Sequence, residues 1–196
     1  MPPHHDEPGL TELTAAQLAR SLDAGSTTSE ATTSALLERI AAIDAVGSDT
    51  ALRSVLAVAP DAMQAARSAD AERASGRTRS ALHGVPIVIK DNIEAIGLPG
   101  TAGATSLLGR PVHADAPLVR RLRVAGMVVL AATNLSQWAN LRSPRSTSGW
   151  SAVGGLTVNP YRLDRSAGGS SSGSGAAVAA PTRRPFAPAR TRSATP

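Results

Sequence analysis

The only lysine in this 196-residue chain, Lys90, stands where a lysine can do chemistry. Every other basic residue except the histidines is arginine, a bias expected of GC-rich coding in which arginine carries solubility. A lysine kept against that bias marks a place where the ammonium is needed, because lysine can shed its proton and arginine cannot. Lys90 follows Val85-Pro-Ile-Val-Ile89, a short β-branched run that reads as a buried strand. Strand ends are where open α/β sheets hold their ligands. To act as a base near neutral pH the amine must fall from about 10.4 to about 7–8, a change of roughly 3–5 kcal/mol that burial can supply. A neutral amine of that kind takes a proton from a serine hydroxyl.

Serines are plentiful in one place. Residues 168–175 form a Gly/Ser loop that opens onto an Ala/Val helix at 176–180. Such a loop presents backbone N–H groups at a helix start and favours an anion or a developing oxyanion. It fails as a phosphate loop, because no Lys-Ser/Thr pair follows its last glycine. The other reading of the same residues is a flexible Gly/Ser linker. His4 and His5 have no further ligands nearby and read as solvated, so no metal and no cofactor are expected.

The elements that must position these residues alternate between helix and strand. Leu13, Leu18 and Leu22, closed by Gly25, predict an amphipathic helix over 10–24. Thr28 or Ser29 caps a second helix whose apolar face includes Leu36, Leu37, Ile40 and Ile43. Residues 54–58 read as a strand and 61–75 as an Ala-rich helix. Residues 85–89 form the strand that ends at Lys90. Residues 116–125 read as a helix stopped by Gly126, and 127–131 as a buried strand with Thr133 and Asn134 beyond its end. Residues 141–170, rich in Ser, Gly, Pro and Asn, read as a long ordered loop. The alternation predicts an α/β layered fold with a largely parallel or mixed sheet.

Composition narrows the function. The net charge is +5, but Arg183, Arg184, Arg190 and Arg192 lie in an acid-free stretch at 181–196, which leaves the body nearly neutral. With 2% aromatic residues, stacking platforms for single strands are not expected, and nucleic acid is excluded as a partner. No apolar run spans a membrane, and the N-terminus shows no secretory pattern. With no cysteines as well, the expected location is cytoplasmic.

Two motifs together carry a resemblance. Gly84-Val-Pro-Ile-Val-Ile-Lys-Asp-Asn92 and Gly168-Gly-Ser-Ser-Ser-Gly-Ser-Gly-Ala-Ala-Val-Ala-Ala180 resemble the amidase signature family of serine hydrolases. Between them Asp115-Ala116, Leu118-Val-Arg-Arg-Leu122, Ala125-Gly126, Thr133-Asn-Leu-Ser136, Ser148-Gly-Trp-Ser151, Gly154-Gly155 and Asn159-Pro-Tyr161 fall in the family's order. The likeness covers roughly residues 10–180, and the Ser-Gly-Trp-Ser and Gly-Ser-Ser-Ser-Gly-Ser forms look most similar to stand-alone amidases, peptide amidases included. The resemblance implies an amidase-signature fold, a mixed β-sheet sandwiched by helices. It implies hydrolysis of a carboxamide or short peptide amide to acid and ammonia by a lysine, a serine preceded by a cis peptide, and a nucleophilic serine. Lys90 matches the lysine and Ser170 the cis-serine. Ser146, Ser148 and Ser171 either assist by hydrogen bonding or only build the loop. Asp91 and Asn92 are expected to order the turn beneath Lys90. Ala131-Ala132 stands where the family usually has Gly-Lys, which removes a cation from the surface or from behind the site.

The resemblance also implies what should follow. The family places its nucleophile about two dozen residues past the cis-serine, in a glycine-rich turn whose N–H groups stabilise the oxyanion, each donor worth roughly 3–4 kcal/mol. Here that region reads Ala189-Arg-Thr-Arg-Ser-Ala-Thr-Pro196, where Ser193 has no glycine around it. The expected division is a disordered tail at 1–9, the N-terminal part of an amidase domain at 10–180 and a disordered Arg/Pro-rich tail at 181–196, the match being broken by a frameshift or truncation of a longer amidase. On that expectation the fold is incomplete, the strands at 85–89 and 127–131 expose apolar faces, and the chain is inactive and either marginally stable or aggregating. The alternatives are a non-catalytic remnant or interaction module, or the amidase component of a tRNA-dependent amidotransferase, against which the Ser-Gly-Trp-Ser loop argues.

Overall fold

A computed structural model describes residue 9, residues 12–44 and residues 51–180. His4, His5, Ser193 and the two expected tails therefore lie outside the described residues, apart from Gly9.

Helices α1 (Ala15–Asp23) and α2 (Ser29–Ile43) form where their caps place them. Thr14 and Gln17 build a capping box, the Thr14 hydroxyl accepting from the Gln17 N–H while the Gln17 side chain accepts from the Thr14 N–H. Thr28 caps α2 by accepting from the Ala31 N–H. Ser29 points elsewhere and donates to the Gly84 carbonyl at 2.6 Å. Strand β1 (Val55–Val58) is followed by α3 (Ala62–Ala74), whose Asp70 accepts from the Ser29 and Glu30 N–H groups and so caps α2 from a neighbouring helix.

Strand β2 (Pro86–Lys90), helix α4 (Pro117–Val124) and strand β3 (Val128–Thr133) make a β-α-β unit with β2 and β3 parallel. Gly126, at φ +84°, ends α4, and a Cβ there would sit 2.1 Å from His83 Nδ1. The main sheet is mixed, in the order β1-β3-β2, with β1 antiparallel to β3. All six residues of β3 are buried. Successive strand residues face opposite ways, so both faces of the central strand are covered. The expected exposure at 127–131 is thus absent from Val128 on; β2, at the edge of the three strands, is only half-buried. Ala131 and Ala132 lie in this core at 0% and 1% exposure. The place where the family usually has Gly-Lys is therefore interior here, not a surface position.

Beyond β3 the structure departs from the expected loop. Two short ribbons form instead, β4 (Trp150–Ser151) with β5 (Gly155–Leu156) and β6 (Val158–Asn159) with β7 (Arg162–Ser166), both antiparallel. Helix α5 (Ser172–Ala179) then packs on all three strands of the main sheet. It starts four residues earlier than the Gly/Ser composition suggests. The reason is contact: Gly173 donates to the Asn134 carbonyl at 3.0 Å, and a Cβ on it would meet Ser54 O at 2.3 Å and Asn134 N at 2.4 Å. Tertiary docking holds this glycine in a helix that propensity alone disfavours. Among the described residues no helix is long and apolar enough to cross a membrane.

Candidate active site

Helix α1 packs with Val85 and Met127 at the entry of the parallel strands, so the opposite, carboxyl ends remain for a site. There Lys90, the last residue of β2, lies in register with Thr133, the last of β3. Thr133 Oγ1 is 2.7 Å from Ser174 Oγ, which ties α5 across these strand ends. The segment leading into α5 carries the cis peptide bond Gly169–Ser170. Lys90 Nζ donates to Ser170 Oγ at 2.7 Å. Burial holds the Lys90 amine below its ordinary pKa, which favours the neutral form that can accept a proton.

Asp91, 1% exposed, anchors the next loop rather than facing Lys90's hydroxyl partner. Its carboxylate accepts from the N–H groups of Gly100 at 2.9 Å and Thr101 at 3.0 Å, and from the Thr101 hydroxyl. Burial pushes the Asp91 carboxyl up, and these bonds, which favour the charged form, pull against it. Asn92 is exposed.

The Ser148–Gly149 turn lies against the cis peptide. Ser166 Oγ donates to the Ser148 carbonyl at 2.8 Å, and a Cβ on Gly149 would be 2.8 Å from the Gly168 carbonyl oxygen. A Cβ on Gly169 would be 2.3 Å from Ser136 Oγ and 2.9 Å from Ser148 Oγ, so only glycine fits between these hydroxyls. Ser136 grips both segments: its N–H donates to the Ser170 carbonyl at 3.0 Å and its Oγ accepts from the Gly149 N–H at 2.8 Å.

The five expected site residues are therefore not all together. Lys90 and Ser170 meet, and Ser148 flanks them. Ser171 is exposed at the start of α5, its carbonyl accepting from Gly175 N–H. Ser146 is exposed and donates to the Ser143 carbonyl at 2.8 Å, within its own loop. Ser172, 3% exposed, has a hydroxyl with no hydrogen-bond partner among the described residues. Two residues of the Thr133-Asn-Leu-Ser136 motif received no role from sequence. Ser136 is one, and fully buried Asn134 is the other. Asn134 Nδ2 donates to the carbonyls of Arg53 and Gly155 and to Thr157 Oγ1, while its Oδ1 accepts from Leu135 N–H and Ser151 Oγ. Their place in that motif, directly after a buried strand, was the signal for both. Among the described residues no cluster of three or more His, Asp or Glu is placed to hold a metal ion.

The arrangement places the Lys90 amine against the Ser170 hydroxyl at the carboxyl ends of the parallel strands. Comparison with known proteins places the chain among amidases. A profile described as Amidase matches residues 31–183. The native peptide amidase of Stenotrophomonas maltophilia, solved by X-ray crystallography, superposes with a TM-score of 0.83 at 48% identity, over 88% of this chain and 35% of that one. An amidase family protein from Bacillus anthracis superposes with a TM-score of 0.77 at 37% identity, over 84% of this chain and 32% of that one. A glutamyl-tRNA(Gln) amidotransferase component from Salinispora arenicola is 41% identical over 172 residues, 87% of this chain and 33% of its own length. The chain thus spans about a third of the length of the relatives it matches.

Proposed function

The chain belongs to the amidase family, and on that premise we propose that it supplies the base and the proton relay for hydrolysis of carboxamide C–N bonds, giving a carboxylate and ammonia. The observation that carries this reading is the 2.7 Å hydrogen bond from Lys90 Nζ to Ser170 Oγ. Neutral Lys90 takes the proton of Ser170, and Ser170 takes that of a nucleophilic serine as it attacks the amide carbonyl. The relay later returns the proton to the leaving nitrogen, and water releases the acyl group. Asp91, Ser136 and Ser148 hold the surrounding loops; none of them needs to touch the reacting atoms. The substrates are small or peptide amides, the class named by the peptide amidase to which the chain is similar.

A nucleophile on a glycine-rich turn completes the reaction, and residues 181–196 contain Ser193 but no glycine. Turnover is accordingly expected only where such a turn accompanies Lys90 and Ser170. Ammonia release from peptide amides tests this, measured on the chain itself and on a version carrying the glycine-rich nucleophile turn after Ala180. Turnover only in the second, lost in Lys90→Met and Ser170→Ala, supports the reading; turnover in the first that survives Lys90→Met overturns it.

A second reading, the amidase component of an amidotransferase, is favoured by the 41% identity to the Salinispora arenicola protein. Glutamine as the preferred ammonia donor of the restored enzyme would select it over the stand-alone reading.

A further inference from the structure

A cavity of about 290 Å³, linked to the Lys90–Ser170 pair through the Ala102 and Ser148 segments, is walled by both tryptophans of the chain, Trp138 and Trp150, and by Arg142, Arg145, Asn140 and Ser146. No carboxylate lines it, and no acidic residue occurs in the sequence between Asp115 and Asp164. Arg67, Arg73, Arg79, Arg110, Arg123, Arg162 and Arg165 all pair with carboxylates. Arg142 and Arg145 form no such pair among the described residues, and both are exposed at this cavity.

The backbone here is unusual. Trp138, Ala139 and Asn140 follow one another in the left-handed region, at φ 52°, 53° and 67°. A bulky residue rarely adopts that conformation, and a run of three is kept only where the surroundings over-determine it. The surroundings do so from the catalytic side: Trp138 N–H donates to the Ala102 carbonyl at 3.0 Å, and Ala102 N–H to the Asp91 carbonyl at 3.1 Å, next to Lys90. The other wall is tied to the segment before Ser170, since Asn140 Nδ2 donates to Ser148 Oγ at 3.4 Å and Ser148 packs on Gly169.

From these features we infer that the cavity is a subsite for a carboxylate-bearing group with a planar apolar body, such as an acidic aromatic portion of the amide substrate. The indoles offer flat apolar faces, and the two guanidiniums offer paired donors suited to a carboxylate. This rests on the amide-hydrolase reading for the word substrate, but not for the binding itself.

The chain reports on the cavity directly, because its whole tryptophan fluorescence comes from Trp138 and Trp150. Titration of the full chain with 3-phenylpropionate, excited at the indole band, is expected to give a saturable change. The neutral isostere 3-phenylpropan-1-ol should bind about tenfold more weakly, as two exposed charge contacts warrant. Arg142→Gln and Arg145→Gln should each weaken the acid by about threefold and leave the alcohol unchanged, and rising salt should erase the difference. In Arg142→Glu/Arg145→Glu the preference should pass to 3-phenylpropylammonium. Equal isotherms for acid and alcohol, indifference to the arginine substitutions, or no saturable change up to about 10 mM, a very weak Kd, would each overturn the inference. The readout does not pass through Lys90 or Ser170. Failure of the relay therefore leaves the isotherm in place, and failure of the isotherm leaves the relay to be judged by ammonia release.

Discussion

Lys90 and Ser170, eighty residues apart in sequence, are joined by a 2.7 Å hydrogen bond from the Lys90 amine nitrogen to the Ser170 hydroxyl oxygen. The bond exists because a parallel strand pair ends beneath a helix start, and it sets the first prediction.

Burial lowers the Lys90 pKa, so the folded chain binds fewer protons than the unfolded chain from that lowered value up to the ordinary 10.5. Stability should rise with pH across this window, and the burden of the buried charge should be complete below it. Lys90→Met should flatten that rise. Thermal midpoints of the two proteins read against pH isolate the effect. Parallel curves for the two proteins would refute it.

Asp91→Asn is nearly isosteric, yet it places an NH₂ group where two N–H donors and a hydroxyl converge. A loss of about 2–3 kcal/mol in denaturant unfolding is expected, with the 100–103 loop becoming susceptible to limited proteolysis. A change under about 0.5 kcal/mol would mean that the carboxylate does not hold the loop.

The two glycines inside α5 should respond oppositely to alanine. Gly173→Ala drives a Cβ into the backbone of Ser54 and Asn134 and should cost about 2–3 kcal/mol. Gly175→Ala meets nothing within 4 Å and should stabilise by up to about 1 kcal/mol. Chemical denaturation of both variants settles the docking of α5; similar shifts in one direction would contradict it.

Asn134→Asp removes the NH₂ whose two N–H groups serve three acceptors, and turns a buried acceptor toward the Arg53 and Gly155 carbonyls. It should destabilise by about 3 kcal/mol or more, the cost of an uncompensated buried charge. A variant as stable as the parent at neutral pH would show that the hub is not closed as described.

Much of this was legible in the residues. Strand ends at Lys90 and Thr133, the Thr28 cap and the Gly126 stop follow from local pattern and turn chemistry, and each strand or helix through β3 lies within a few residues of its expected place. The ribbons of 150–166 were not legible, because three of their four strands are two residues long, with no period to detect, and they are held by long-range bonds such as Val158 N–H to the Leu52 carbonyl. The start of α5 was hidden for a related reason: Gly173 is helical through what it touches, not through what it is. Ser136 and Asn134 stood in a recognisable motif, but their roles depend on partners at positions 149, 151, 155, 157 and 170. Ser146, chosen for its type, turned out to serve its own loop.

Asn134 has one more consequence, for the chemical ageing of the protein. Spontaneous deamidation needs the side-chain carboxamide to swing free so that the following backbone nitrogen can attack it and ammonia can leave. Here the NH₂ is held by three acceptors, and Leu135 N–H is already engaged with Oδ1. The intact fold protects its hub asparagine from this reaction, and a molecule that opens long enough to lose the amide re-forms the hub only with a carboxylate at its centre.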